Sequence, residues 1–79
     1  MQWFNYNKER HALTWTKEAK EELEEIQFIA LPRVGQVILK NEILLEVEAS
    51  KAVYEIEAPF DLKVLKEGEQ EIILYVTPL

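Results

Sequence analysis

The sequence predicts a single small domain, residues 1–79, with a mostly-β fold and one short helix near residues 17–24. From Gln36 onward the chain consists largely of β-prone apolar segments separated by turn residues. A single segment, KEAKEELEE, is rich in helix formers. Two further segments, VILKNEILLEV and KVLKEGEQEIILYV, resemble each other, which favours a sandwich built from two similar halves.

Size and charge narrow the range of functions. A domain of 79 residues buries only roughly 60% of its unfolded surface, so its core is thin and leaves little room for a deep active site. The net charge of −6 argues against nucleic-acid binding, and it fits either plain solubility or docking onto basic protein surfaces. No apolar run approaches the roughly 20 residues of a membrane helix. The N-terminal stretch lacks a secretory pattern and cysteine is absent, so we expect a cytoplasmic protein.

The first elements are predicted from short apolar runs between polar breaks. Trp3–Tyr6 is expected to form a strand that ends at an Asn-Lys-Glu break. Ala12–Trp15 is expected to form a second strand, with Leu13 and Trp15 on one face. Thr16 then supplies a favourable N-cap for the helix.

The predicted helix carries an apolar stripe, because Ala19, Leu23 and Ile26 are spaced at i, i+4 and i+7. Glutamates cover its remaining faces. They are Glu18, Glu21, Glu22, Glu24 and Glu25. Such a charge run usually forms a solvated helix face, and a partner-docking face is the alternative interpretation.

A third strand is expected after the helix, where Ile26, Phe28 and Ala30 form one side of an alternating segment. Pro32 and Gly35 end this strand. The rest of the chain is predicted to be β-rich. Its turns or strand ends are expected at Lys40-Asn41, Ala58-Pro59 and Glu67-Gly68.

The residues that most catalytic chemistry requires are missing. His11 is the only histidine, and without cysteine a transition-metal site is not expected. We interpret His11 as structural, since nothing places a serine beside it for a Ser-His-acid set. The chain has two glycines and no phosphate-binding loop. These absences favour a binding or carrier module over an enzyme.

One lysine lies between two β-prone runs. Lys51 is flanked by Ile43–Val47 and Ala52–Ile56, so antiparallel pairing of the two runs places it at or near a hairpin turn. Its neighbours Ala49, Ser50 and Ala52 are small, which would let the active site of a modifying enzyme approach. The residues alone favour an ordinary turn lysine, and a modified lysine is the alternative.

The segment around this lysine resembles a known family. Val47–Val53 has the sequence VEASKAV, which is similar to the Val-Glu-Ser-Val-Lys-Ala-Val segment of the glycine cleavage system H protein, a relative of lipoyl and biotinyl carrier domains. Other segments also resemble the family, and the last of them follows the lysine at the family spacing: Met1–Trp3, Ala12–Thr16, Ala19 with Glu22-Leu23, Phe28–Gly35 and Glu55–Pro59. The match covers nearly the whole chain, and the combination is far more specific than the lysine motif alone.

The resemblance implies a lipoyl-domain-like fold, a barrel-sandwich hybrid of two small antiparallel sheets, with Lys51 at a protruding hairpin. It implies that a lipoate–protein ligase or lipoyl transferase joins lipoate covalently to the Lys51 amine. In the family, the glutamate three residues before the lysine aids this modification, and Glu48 matches it. Ala49, Ser50 and Ala52 complete the expected recognition segment. Biotin is disfavoured because its family places Met on both sides of the lysine.

The implied function is a non-catalytic carrier with a swinging lipoyl arm. Such a carrier moves an aminomethyl group between the enzymes of the glycine cleavage system. The expected partners are the glycine decarboxylase P protein, the aminomethyltransferase T protein and the dihydrolipoyl dehydrogenase L protein. Two alternatives stay open: an H-like carrier in another pathway, such as sulfur transfer or lipoate relay, and an unmodified interaction module with the same fold.

Several positions depart from the family pattern. A glutamate that helps shelter the loaded arm in the family is replaced by Gln2, whereas its acidic partner is matched by Glu55. Glu24, Asn41 and Leu62 stand where the family usually has glycine, so the local turns are expected to differ. The family's helical segment before the last strand is also missing.

Overall fold

Eight strands and one helix make up the fold in the computed structural model, which describes all residues from Met1 to Leu79. In chain order they are β1 (Phe4–Asn7), β2 (Ala12–Trp15), α1 (Lys17–Leu23), β3 (Ile26–Ala30), β4 (Val37–Ile38), β5 (Ile43–Ala49), β6 (Val53–Glu57), β7 (Leu62–Glu67) and β8 (Ile72–Pro78). The helix has neither the length nor the apolar character needed to cross a membrane.

The strands form two antiparallel sheets. One has the order β1-β2-β8-β7-β4 and the other has the order β3-β5-β6. Neither sheet closes into a barrel. The predicted mostly-β, lipoyl-domain-like fold with two small antiparallel sheets and one short helix is therefore confirmed.

The hydrophobic core lies between the two sheets and contains no buried polar side chain. In β5, Leu45, Val47 and Ala49 are buried, while the intervening Glu46 and Glu48 are exposed. Side chains alternate between the two faces of a strand, so this pattern turns one face of β5 to the core and the other to water. Full burial of one aliphatic side chain such as Val47 contributes about 1.5–3 kcal/mol.

Helix α1 begins where the sequence predicts. The Thr16 hydroxyl accepts a hydrogen bond from the Ala19 N–H at 3.0 Å and donates one to the Gln2 carbonyl at 2.7 Å. Ala19 and Leu23 are buried as expected. The prediction that Ile26 continues the apolar stripe of the helix is wrong. The helix ends at Leu23, and Ile26 belongs to β3, where it is 37% exposed.

Strand β3 is confirmed, but its predicted apolar side faces solvent. Ile26, Phe28 and Ala30 are exposed, with Phe28 at 62%, whereas Ile29 packs against the core. An irregularity in the β3–β5 pairing between Ile26 and Phe28 sets this outcome, and it leaves Ile29 opposite the buried Val47. Sequence alternation identified the strand without identifying which side is buried.

Two predicted strand ends shift along the chain. The first strand extends to Asn7, whose side-chain oxygen accepts hydrogen bonds from the Glu9 and Arg10 N–H groups and so makes the turn itself. At the other end β7 continues to Glu67, and Gly68 approaches the backbone of β8. A Cβ on Gly68 would lie 1.9 Å from the Ile72 carbonyl oxygen, so this position requires glycine.

The two similar segments do not form equivalent halves. In the first, β4 and β5 belong to different sheets, whereas in the second, β7 and β8 pair directly as a hairpin. The turn after β4 is instead bonded to the end of β6: Asn41 donates its N–H to the Ala58 carbonyl at 3.1 Å, and Ala58 donates to Glu42 at 2.8 Å. These bonds direct the chain from one sheet to the other.

The three residues that stand where the family usually has glycine differ in backbone conformation. Glu24 and Asn41 have φ values of 53° and 74°, so both occupy left-handed backbone conformations that favour glycine. Leu62 does not, because it lies within β7 and is fully buried. The expected change of turn therefore does not apply at Leu62.

Candidate functional site

The candidate site is the tip of the hairpin formed by β5 and β6. Val47 lies opposite Tyr54 and Glu48 lies opposite Val53. Beyond them the Ala49 N–H donates to the Ala52 carbonyl at 2.9 Å, which leaves Ser50 and Lys51 as the tip. The structure thus places Lys51 at the turn where the sequence predicts it.

The hairpin tip is bonded to the segment that joins α1 and β3. The Ser50 N–H donates to the Glu25 carbonyl at 3.0 Å, and the Ser50 hydroxyl donates to the Glu25 carboxylate at 2.5 Å. Two bonds between the same two residues fix the orientation of the tip. The expected protruding hairpin is therefore docked on its own domain at this point.

The Lys51 amine lies beside two carboxylates at the end of α1. Its Nζ is 3.7 Å from the Glu24 Oε1 and 4.0 Å from the Glu22 Oε2, and half of its side chain is exposed. The Tyr54 hydroxyl donates to the same Glu22 oxygen at 3.0 Å. Lys51 is reachable from solvent, as predicted, but it is not free of contacts.

Tyr54 couples this charge cluster to the body of the domain. Partial burial and the hydrogen bond to the Glu22 carboxylate both hold the pKa of Tyr54 above its ordinary value, and the negative charges of Glu22 and Glu24 act in the same direction. Its ring also contacts the Trp3 ring edge-on, with centroids 5.8 Å apart. The acids at the end of α1 therefore connect to both β6 and the N-terminal segment.

The small residues around Lys51 have unequal roles. Ser50 and Ala52 are exposed, so they leave space beside the lysine. Ala49 is only 5% exposed, so it contributes to the core rather than to the surface beside Lys51. The cause is strand alternation, because Ala49 shares the core-facing side of β5 with Val47.

Glu48 lies on the outer face of the three-stranded sheet. It is exposed between Phe28 on β3 and Val53 on β6, both of which are also exposed. Its carboxylate makes no hydrogen bond or ion pair with another side chain of the domain. It is therefore available to an external partner that binds this face.

Gln2 and Glu55 line one open groove of about 660 Å³. The other lining residues are Met1, Trp3, Phe4, Lys40, Asn41, Glu57, Ala58 and Pro59. Glu55 is four positions after Lys51, which corresponds to roughly 13 Å of extended chain. The structure thus places on one groove, beside β6, the two residues for which the family resemblance implies a role in sheltering an arm.

Sequence reasoning missed the acidic residues that contact the tip. Glu22, Glu24 and Glu25 were interpreted as part of a solvated helix face, and Tyr54 was assigned no role. A partial signal was present, since Glu24 stands at a position where glycine was expected. No group of three or more potential metal-binding side chains occurs in the structure.

The comparison with models of known protein families decides to which family the chain belongs. The family model described as glycine cleavage H-protein matches residues 1–72, which includes both strands of the hairpin and the groove. The chain belongs to the glycine cleavage H-protein family. The matched region contains the segment VEASKAV, which ends β5, forms the hairpin tip and begins β6.

Curated relatives agree with the family assignment. The chain is 42% identical over 55 residues to the probable glycine cleavage system H protein of Pyrococcus abyssi, a match that covers 70% of this chain and 41% of that protein. It is 31% identical over 55 residues to the glycine cleavage system H protein of Thermotoga maritima. That match covers 70% of this chain and 44% of the Thermotoga protein. It is 35% identical over 69 residues to the glycine cleavage system H protein of a Geobacillus species. That match covers 87% of this chain and 54% of the Geobacillus protein.

The matched region spans about two fifths to one half of these H proteins. In this family member, residues 68–71 connect β7 to β8 without a helix. The Gly68 N–H bonds to the Ile73 carbonyl at 3.2 Å and the Ile72 N–H bonds to the Glu69 carbonyl at 3.0 Å, which closes this hairpin tightly.

The environment of Tyr54 predicts a loss of stability in alkali. A tyrosine has an unperturbed pKa of about 10, and a raised folded-state pKa means that folding favours the neutral phenol. This contribution is fully present below the unfolded-state pKa and is lost as the pH rises through the folded-state pKa. We expect Tyr54→Phe to unfold with a weaker pH dependence above about pH 10.

Urea unfolding at several alkaline pH values, together with tyrosinate absorbance, measures this difference. Tyr6→Phe is the control, because burial also raises the pKa of Tyr6 and that variant keeps the Tyr54 contribution. A Tyr54→Phe variant with the same alkaline stability profile as the unaltered chain would contradict the role assigned to the Tyr54–Glu22 bond.

Proposed function

We propose that residues 1–79 form a lipoyl carrier domain, with lipoate joined to Lys51. The observation that carries this proposal is the position of Lys51 at a two-residue hairpin tip, within the segment that resembles the lipoylation motif of its family. The amine is attached to a rigid strand pair and its side chain is half exposed. A ligase or transferase could therefore engage the tip without unfolding the sheet.

The residues around the tip fit covalent attachment of lipoate. An amide at Nζ removes the lysine's charge and extends a side chain that is already half exposed. Exposed Ser50 and Ala52 leave room on either side of the bond. Glu48 lies two strand positions from the tip with an unengaged carboxylate, which fits recognition by a cationic group of the modifying enzyme.

When attached, lipoate supplies a disulfide–dithiol couple, and the redox and transfer chemistry belongs to that group. The protein's contribution is position. A tethered arm is present at a high effective concentration at any site where the domain docks. The groove lined by Gln2 and Glu55 adjoins the strand that leads away from Lys51, so it offers a resting place for an arm.

In the glycine cleavage system this carrier would move an aminomethyl group between partner enzymes. We propose the P, T and L proteins as those partners and a lipoate–protein ligase or lipoyl transferase as the modifying enzyme. The net charge of −6 favours docking onto basic surfaces of these enzymes. The domain itself contains no catalytic set and acts as a non-enzymatic component.

One observation favours a second candidate, a lipoyl carrier in another pathway such as sulfur transfer or lipoate relay. The polar residues lining the groove include the amide of Gln2, the acids Glu55 and Glu57, and Lys40. An amide accepts and donates hydrogen bonds but carries no charge, so a cationic amine in the groove is stabilised less than it would be with a carboxylate in place of Gln2. This difference bears on the aminomethyl cargo and leaves lipoylation itself unaffected.

Lipoylation at Lys51 is tested by intact mass. Incubation with a lipoate–protein ligase, ATP and lipoate is expected to add one lipoyl group, because Lys51 is the lysine presented at the hairpin tip. Lys51→Ala should abolish the adduct, and Lys63→Ala, which alters an exposed lysine on β7, should keep it. If no lipoyl adduct forms, or if the adduct persists in Lys51→Ala, the carrier proposal is wrong.

The role of Glu48 is tested by the rate of modification. Glu48→Gln is expected to slow lipoylation by about tenfold, the effect of one hydrogen bond to a charged group, without altering the unfolding midpoint. Glu46→Gln is a matched control, since Glu46 is exposed on the same face of the same strand. Equal rates for the two variants would remove the role given to Glu48.

A glycine decarboxylase assay separates the two pathways. The lipoylated domain is expected to support decarboxylation far better than free lipoate at the same concentration, because docking adds to the reactivity of the arm. Gln2→Glu should lengthen the lifetime of the loaded arm, since it places a carboxylate on the N-terminal segment of the groove as well as on β6. A lipoylated domain that performs no better than free lipoate would assign the carrier to another pathway.

A further inference from the structure

The acceptor lysine is held by charges that the proposed function does not use. Glu24 and Glu22 lie 3.7 and 4.0 Å from the Lys51 amine, at the end of α1. We propose that these two carboxylates form a latch that holds the Lys51 side chain against the end of α1 and slows its acylation, because the amine is held away from an acyl donor. The proposal rests on the proposed function only in treating Lys51 as the acceptor.

Glu24 provides the first argument for a latch. It caps α1 with φ 53° and ψ −108°, a backbone conformation that favours glycine and is strained for a glutamate. A glycine here would relieve that strain but would remove the carboxylate nearest to Lys51. The strained residue is therefore the one that contacts the acceptor amine.

The second argument is that both sides of the latch are fixed. On one side, Tyr54 donates a hydrogen bond to the Glu22 carboxylate. On the other side, two hydrogen bonds from Ser50 to Glu25 hold the hairpin tip against the segment after α1. Because the Glu22 carboxylate and the hairpin tip are already held, these ion pairs require less ordering than a pair between two mobile surface residues.

The chemistry of acylation explains why such a contact slows the reaction. The ammonium must first release a proton, because only the neutral amine has the lone pair that attacks an activated acyl carbon. With an acyl adenylate as donor, the new C–N bond forms, the C–O bond to AMP breaks, and the nitrogen releases a second proton. The amine must also leave both carboxylates before it can reach the acyl carbon, and separating these ion pairs adds to the barrier.

Acylation also removes the basis of the latch. The amide nitrogen carries no charge, so Glu22 and Glu24 lose the cation between them. The Ser50–Glu25 bonds remain, and the side chain at position 51 is free to leave the end of α1. The modified arm is thereby released by the same step that attaches it, while the hairpin tip keeps its position.

Chemical acylation tests the latch without an enzyme. The full chain is treated with a limiting amount of the N-hydroxysuccinimide ester of acetate at low salt, and acetylation of Lys51 relative to Lys63 is measured by peptide mass spectrometry. Glu24→Gln is expected to raise this ratio about two- to fivefold, because it removes one exposed ion pair. The double variant Glu22→Gln/Glu24→Gln is expected to raise the ratio further, because it removes both ion pairs.

Three comparisons make the test decisive. Glu21→Gln, on the same helix but without a contact to Lys51, should leave the ratio unchanged. Glu24→Gly should raise it as Glu24→Gln does, and glycine suits the backbone conformation there, so folding is not at risk. At about 1 M salt the differences should shrink, because the screening length falls to roughly 3 Å.

An unchanged ratio in both Glu24 variants at low salt would overturn the latch, as would an equal rise in Glu21→Gln or a rise that is insensitive to salt. These outcomes are independent of lipoylation. If the ligase modifies Lys51 but the ratio does not change, only the latch fails. If the ratio changes as expected but no lipoyl adduct forms, only the proposed function fails.

Discussion

The structure depends on the burial pattern of β5, the central strand of the three-stranded sheet. Leu45, Val47 and Ala49 face the core, and Glu46 and Glu48 face water. Since a slip of one residue would exchange these faces, the apolar positions fix the register of β5 against both neighbours. That register determines where the hairpin turns, which side of it is buried, and which residue stands at its tip.

Every other part of the candidate site is positioned relative to that strand. The pairing of β3 with β5 carries the segment after α1 to the hairpin tip, where Glu25 holds Ser50. The end of α1 then lies beside Lys51. A short helix of seven residues thus acts as a support for the tip. Its glutamates neutralise the lysine's charge on one side and leave the other side open to solvent.

The N-terminal segment forms the other wall of the site. The Gln2 carbonyl accepts a hydrogen bond from the Thr16 hydroxyl, and the Trp3 ring packs edge-on against Tyr54. These contacts hold Gln2 beside the groove that also contains Glu55. The domain therefore combines an attachment point and a neighbouring groove on one thin core, and it supplies geometry where a cofactor would supply chemistry.

Local patterns were sufficient to predict the mostly-β class, the Thr16 cap, and a lysine between two paired strands, because capping and strand alternation act over a few residues. Three features needed the tertiary structure: the exposure of Phe28, the burial of Ala49, and the contact of Glu22 and Glu24 with Lys51. Each depends on the register between strands distant in sequence or on the left-handed conformation that ends α1. The local pattern was enough to place one lysine at a turn, whereas the carboxylates that contact it are known only from the position of the end of α1 beside the hairpin tip.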